Sequence, residues 1–595
     1  MMSLDRIKAH GLADLWDKAL TEQRNVQQYV SQIGGDTTHL LLELVRFLDT
    51  RVVSREYSNR PYSLLDHQTD EILRLGLNPA LAILLPKVRD TTGFPLVSST
   101  PERAGFAGTL LHHLGRIRML QRLIELTTSG LLELRRCESK LEFIRVNDRC
   151  GIEVFDAMDA EWVNTNLHHD YMTTPKDIIE EMRSLVYNWR GDFIGYTTSH
   201  KIDVHFIEVA MKMFDTNRSI GGIHPEFKFR GISGADLIFV SALITSIYIK
   251  HIIFSLIHTQ KYPDRMLNNV ITIFTQQGEF ADSLCEVANE IINTAGESTT
   301  GRRKFTRKKM FTCLSAMTLN KMNLKSHCYN YRIPFPALIS VRRNYFIRPV
   351  SSIFDNVLSF SAKELKRIYP REWDKSIKRR EEWFRMDLYS LFGGNRYIAP
   401  NGSIQLFDDG KTLTDIDAIV IDVTTGDVAL FELKWQEPVG LEEIERRNKC
   451  KNLHFEISKW SNAVSTFIHD KGIKELANQL GLQCAAHRIR DVYLFALVRH
   501  NARFSGSKIA TPNVAVASWG QFQRARMVLG VRDDIFKDIY KRLKDEEEIR
   551  VDAGVETLSF SVAGLDIEAE AWFTSDRDPK ESPNMSGFQS LPEGA

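Results

Sequence analysis

The chain has 595 residues, 43% of them hydrophobic and 26% charged; at roughly 150 residues per domain this suffices for several packed domains and excludes a small disulfide scaffold or a disordered regulator. Lys plus Arg number 77 against 76 Asp plus Glu, a net charge of +1, so no whole-molecule field steers nucleic acid or binds an anionic membrane, and any such contact must come from local patches. The seven cysteines, an odd total with no close CxxC pair, fit a reducing, cytoplasmic compartment better than a disulfide framework or a zinc site.

The first residues carry Asp5, Arg6 and Lys8 and lack the uninterrupted apolar core of a secretion signal. From residue 1 to about 350 the pattern is mainly helical, with apolar residues at three- and four-residue spacing in Leu40–Leu48, Leu110–Leu126 and Ile178–Trp189. Thr174, Pro175 and Asp177 read as an N-cap, a proline at N1 and an acidic first turn. Leu237–Ile249 is apolar but shorter than the about 20 residues of a span, so it predicts a buried helix and no membrane contact. An internal boundary is expected near 145–175, and the loop Asn293–Gly301 separates two further helical groups. Next comes the densest basic run, Arg302, Arg303, Lys304, Arg307, Lys308 and Lys309, which suits either phosphate contact or a solvated helix start.

Past residue 355 the texture changes. Ser361–Glu364 has capping-box spacing, and a helix from about Asp374 to Phe392 leads into alternating runs at Arg396–Ala399, Ser403–Phe407, Ile416–Val423 and Val428–Leu433. A helix around Ile457–Ile468, a strand Val492–Val498, and a strand Val514–Trp519 with a following helix complete the pattern. Residues 551–573 read as a short extension, and Thr574–Ala595, rich in Pro, Ser, Gly and charge, as a disordered tail.

Three apparent motifs lead nowhere. His168, His169 and Asp170 are adjacent, so their side chains point apart on any regular element. Gly410-Lys411-Thr412 has Gln405 where a phosphate-binding loop needs glycine. Gly231-Ile232-Ser233-Gly234 misses the spacing of a nucleophile elbow.

The segment that carries chemistry is Asp415 to Trp435, two apolar runs joined by Thr424-Thr425-Gly426-Asp427 and readable as a hairpin. A turn centred on Thr425 and Gly426 sets Asp417 opposite Lys434 and puts Asp417, Glu432 and Lys434 on one face. Two carboxylates from adjacent strands make a hard-oxygen site for Mg²⁺ or Mn²⁺, and a nearby lysine can orient a metal-bound water, the equipment of metal-assisted phosphodiester hydrolysis. A triplet of this type has little value without strand context, because Glu364-Leu365-Lys366 is another, on a helix where the two side chains diverge by about 200°.

The arrangement resembles the PD-(D/E)xK nuclease superfamily over roughly residues 360–525, with Asp417 and the triplet Glu432, Leu433, Lys434 as the matching positions. That resemblance implies an α-β-β-β-α-β core, and hence an α+β multidomain protein: a mainly helical region over 1–350 and an α/β nuclease-like domain with a mixed central sheet over 355–550. The superfamily's further acidic residue on the first helix would be Glu381, which shares a helical face with Phe384, Leu388 and Phe392, with Glu382 second. The motif's proline is replaced by Ile416, and Asp415 has the parity of Asp417, so it stands as the alternative ligand. Arg446, Arg447 and Lys449 follow the active strand and are candidate nucleic-acid contacts, as are Arg302, Arg303 and Lys304.

The resemblance thus implies a divalent-metal-dependent nuclease acting on DNA rather than RNA. A chain with its nuclease confined to the last third resembles restriction or anti-phage effectors, in which the attached region controls the enzyme or binds a second copy or a partner protein. The rival reading is a nucleic-acid-binding or assembly protein with an inert nuclease-like fold.

Overall fold

Apolar spacing in the first 130 residues becomes the helices Ala13–Gln32, Thr37–Tyr57, Leu64–Leu84 and Pro101–Thr128 in a computed structural model. The structure describes residues 4–32, 36–57, 64–93, 97–137, 140–146, 174–216, 223–295, 304–328, 335–354, 357–436, 443–481, 489–500, 512–548 and 555–572, and is a mixed α+β protein with several sheets. Helices Leu64–Leu84 and Pro101–Thr128 cross with backbones in contact, because a Cβ at Gly76 would lie 1.9 Å from the Leu111 carbonyl oxygen and one at Gly115 equally near that of Ile72. Leu41, Val45, Leu81, Leu111 and Leu120 form the first core there.

A second core surrounds Gly234–Lys261, which opens with a capping box between Ser233 and Asp236. Among the described residues this is the one helix long and apolar enough to cross a membrane, and 83% of its apolar window is buried inside the fold, as the sequence predicts for a core helix. Ile178–Trp189 is not one helix. Helix Lys176–Leu185 gives way to a strand Val186–Trp189, whose β-branched and aromatic residues pair with Phe193–Tyr196. That helix also starts after Pro175, with no side-chain cap from Thr174.

Strands are more frequent before residue 350 than the helical reading expects. Ile273–Gln276, Thr318–Leu319, Leu338–Val341 and Tyr345–Arg348 make a four-stranded sheet. Leu132–Arg136 and Leu141–Arg145 make half of another, completed by the distant strands Leu565–Trp572 and Val555–Val562. Residues 555–572 are therefore an integral hairpin and not a loose extension; Leu558, Phe560, Val562, Ile567 and Ala569 alternate into the first core. Ser361 is not at a helix start: the helix Val357–Ile368 begins before it, and Ser361 is buried within it. Residues 296–303 and the expected tail 574–595 lie outside the described residues.

The last third contains, in chain order, α1 (Arg380–Ser390), β1 (Tyr397–Ile398), β2 (Ala418–Asp422), β3 (Val428–Lys434), α2 (Glu443–Gln479), β4 (Val492–Val498), β5 (Ala515–Ser518), α3 (Trp519–Leu529) and α4 (Ile535–Glu548). The predicted helix Asp374–Phe392 is thus divided, its first part being Pro370–Ile377. The five strands form one mixed sheet in chain order, antiparallel from β1 to β3 and parallel from β3 to β5. Ile404–Asp408 and Lys411–Ile416 stand off as a separate two-stranded ribbon. One face, with Ile419, Ile421 and Leu430, is covered by Leu453, Ile457, Trp460 and Val464 of α2. The other, with Val420, Phe431 and Leu433, is covered by α1, α3 and α4. Helix α1 is shared: Phe384 and Leu388 pack on this sheet, while Trp383 enters the second core beside Trp373.

Candidate active site

The β2–β3 ladder pairs Ala418 with Phe431 and Ile421 with Val428. The paired residues begin at Ala418; Asp417 is a bend just ahead of β2, outside the ladder, and its backbone N–H donates to the Phe431 carbonyl at 3.1 Å, one residue out of that register. The predicted register, with Asp417 facing Lys434, is therefore displaced by two residues. Residues 423–427 form the turn, closed by a hydrogen bond from Gly426 N–H to the Asp422 carbonyl at 2.8 Å, with Gly426 at a φ of +80° that favours glycine. Glu432 and Lys434, two apart on β3, share the face covered by α2, and Asp417, at the bend, lies near enough for its charge to raise the Glu432 carboxyl.

Both carboxylates are buried, Asp417 at 4% exposure and Glu432 at 5%. The Asp417 Oδ2 accepts the Leu433 N–H at 2.8 Å, and its backbone carbonyl accepts from the Arg385 guanidinium. Burial raises the proton affinity of each carboxyl group; the charge of Glu381 adds to this at Asp417, and that of Asp417 adds to it at Glu432. The Lys434 Nζ lies 2.8 Å from Glu432 Oε1 and 3.5 Å from Glu456 Oε2. Burial disfavours its charge, but these carboxylates outweigh burial and hold the ammonium protonated well above the ordinary lysine range.

Asp415 is exposed on the ribbon, and its charge raises both buried carboxyls. Glu381 does not point inward as the sequence predicts. It is exposed at the first turn of α1, a helix on the opposite face, and its charge still reaches Asp417. Glu382 is paired with Arg379 at 3.2 Å. Sequence reasoning missed Glu456, which the packing of α2 brings to Lys434. It also missed Arg499, a buried cation 2.8 Å from Asp387 and over the ring of Trp435 at 4.8 Å.

Asp417 and Glu432 are the carboxylates here that could hold a divalent cation. Among the described residues no group of three or more His, Cys, Asp or Glu is arranged to hold a metal; Mg²⁺, however, commonly uses one or two carboxylates and completes its shell with water and phosphate. Asp417 and Glu432 are two buried carboxylates, and the charge of Asp417 disfavours that of Glu432, a cost that a cation beside them would relieve.

The basic candidates are less gathered. Arg302 and Arg303 lie outside the described residues, and Lys304 is exposed ahead of the helix Arg307–Ala316. Farther along the run, Arg307 pairs with Asp282 and Lys309 with Asp236, each at 2.8 Å. The side chains of Arg446 and Arg447 are likewise outside the described residues, whereas Lys449 is half-buried. Lys449 adds to burial, Arg499 and Arg380 in pushing the His500 imidazole down to about 3, which sets it near the end of β4. His168, His169 and Asp170 are not among the described residues.

No family model, curated protein or solved structure matches the chain. Two other buried carboxylates, Asp422 and Glu364, are held differently from those of this hairpin. Asp422 is fully buried against Arg396 at 2.6 Å. Glu364 accepts from Asn323 at 3.0 Å, from Arg367 at 2.7 Å and from His327 at 2.9 Å. Each is a completed ion pair or network; at the hairpin Glu432 is paired with Lys434 at 2.8 Å, and burial with the charge of Asp417 still raises its carboxyl.

Proposed function

We propose that this protein is a cytoplasmic, divalent-metal-dependent nuclease whose site is Asp417, Glu432 and Lys434, with DNA as the substrate. The observation that carries this reading is the meeting of two buried carboxylates, Asp417 at the bend before β2 and Glu432 on β3, with Lys434 2.8 Å from Glu432. Asp417 and Glu432 would hold Mg²⁺ or Mn²⁺. The ion, when bound, supplies Lewis-acid polarisation of a phosphate oxygen and of water.

Lys434 orients the attacking water and offsets the charge that develops on the phosphate as the new oxygen–phosphorus bond forms and the ester oxygen departs. Glu381 and Asp415 keep the rim of the site acidic. Lys449, with Arg446 and Arg447 on the first turns of α2, would bind flanking phosphates. Because α1 packs on both the site's sheet and the second core, the region before residue 350 is suited to control or position the nuclease, and to receive a partner protein or a second copy, as in restriction or anti-phage defence.

The test is purified protein on linear, circular and single-stranded DNA and on RNA, with Mg²⁺, Mn²⁺ or EDTA. Metal-dependent cleavage abolished by Asp417→Ala supports the reading; no cleavage under any condition, with no metal uptake by calorimetry, sinks it. The 2.8 Å Lys434–Glu432 pair favours one second reading, a self-neutralised polar cluster in an inert nucleic-acid-binding scaffold. Metal uptake dependent on Asp417 excludes that alternative.

A further inference from the structure

Lys434 stands between two carboxylates of different character. Glu432, two residues back on the same strand, has a side chain 7% exposed, and Glu456, from the helix that covers this face, one 53% exposed. The ammonium has three N–H donors and sits closer to Glu432, at 2.8 Å against 3.5 Å. A cation held by Glu432 would compete with Lys434 for the same oxygens and repel its charge, and an ammonium left at 23% exposure without a counter-charge is costly.

We propose that Glu456 is a positioning residue that takes the Lys434 ammonium when Glu432 turns to a divalent cation. This rests on the reading of the hairpin as a cation site, and gives the covering helix a part in it. Glu456 needs no large motion, since its carboxylate is already within ion-pair distance and its exposure leaves it free of the burial cost that Glu432 carries. Removing it leaves Lys434 locked on Glu432, so the loss appears first in metal uptake and then in cleavage.

The experiment is calorimetric titration of the full chain with Mn²⁺ alone and with Mg²⁺ alone. Glu456→Gln should weaken uptake about three- to fivefold, the upper part of the range for a partly exposed ion pair, and Glu456→Asp should recover a good part of that loss. In a Lys434→Gln background, Glu456→Gln should have no further effect, which a merely structural role would not produce. Affinity in Glu456→Gln within about twofold of the parent, or full additivity in the double variant, overturns the role of Glu456. Asp417→Asn separates the two claims: uptake that survives there overturns the hairpin site itself, whereas uptake abolished there and unchanged in Glu456→Gln overturns only the part given to Glu456.

Discussion

The tripeptide Glu-Leu-Lys occurs twice in this chain, at residues 364–366 on the helix Val357–Ile368 and at 432–434 on β3, and the two copies behave oppositely. At Glu364, burial works to raise the carboxyl group, but hydrogen bonds from Arg367, His327 and Asn323 outweigh it and hold it down at about 2. At Glu432, burial is joined by the charge of Asp417, and the one cation of its own triplet does not offset them. Helical geometry turns Lys366 away from Glu364 and out to solvent, while strand geometry returns Lys434 to the side of Glu432. A sequence triplet acquires chemistry from what the fold sets opposite it.

The sharpest way to break this contrast is at the strand copy. Asp417→Ala and Glu432→Ala should each lower cleavage by at least about a hundredfold and reduce metal uptake, while Lys434→Ala should lose cleavage to the same order and still bind metal. Each variant must melt within a few degrees of the parent, and well-folded Glu432→Ala, Lys434→Ala protein that still cuts would remove the site from this hairpin. Next in size is the helical copy. Glu364→Ala strands His327, Asn323 and Arg367 and should destabilise the fold by about 2–3 kcal/mol, read by denaturant unfolding, with metal affinity unchanged. Lys366→Ala should stay within about 0.5 kcal/mol of the parent.

A pH titration of stability sharpens the same opposition. The folded Glu364 carboxyl, at about 2, lies below its ordinary value of 4.5, so its contribution is present above pH 4.5 and lost as pH falls toward 2. Glu364→Gln should flatten the acid limb in that window. Asp49 runs the other way. Burial raises it from 3.8 to about 6 against the bonds from Ser351 and Thr272, so its contribution is full below pH 3.8 and lost as pH rises through 6, and Asp49→Asn should remove that decline.

The smallest effects belong to the surface. Charge reversal at Arg446, Arg447 and Lys449 should lower the salt slope of nucleic-acid binding by about one unit for each phosphate that the variant leaves unneutralised, and reversal at Arg302, Arg303 and Lys304 by less. An unchanged slope assigns them to the solvated face.

The local parts of the site were legible because a strand has a period of two. The period of two places Glu432 and Lys434 on one face whatever the register, and the strand Val492–Val498 is bounded as its apolar run predicts, whereas the bend that takes Asp417 out of the ladder had no local signal. What depends on docking between elements was not legible. Nothing in the spacing of α2 says that Glu456 rather than its neighbours meets Lys434, nor that α1 packs on the face away from the carboxylates and leaves Glu381 at the rim. The Ser361 capping box failed for a related reason: the helix begins upstream of it, where Leu358 is buried in the second core and Phe360 in the first. The completion of the first sheet by residues 555–572 had no local signal, since short alternating runs do not name their partners.

That last pairing has a cost in time. Lys140 meets Glu568 across 428 residues of sequence, and a ribosome adding about 5–20 residues per second needs about 20–90 s to supply the partner. Until then Leu141–Arg145 is an open strand edge beside a formed helical core, a template for pairing with another nascent chain. The same edge reopens in any truncated protein that ends before residue 555, so the first damage from losing this hairpin falls on the start of the chain, as aggregation.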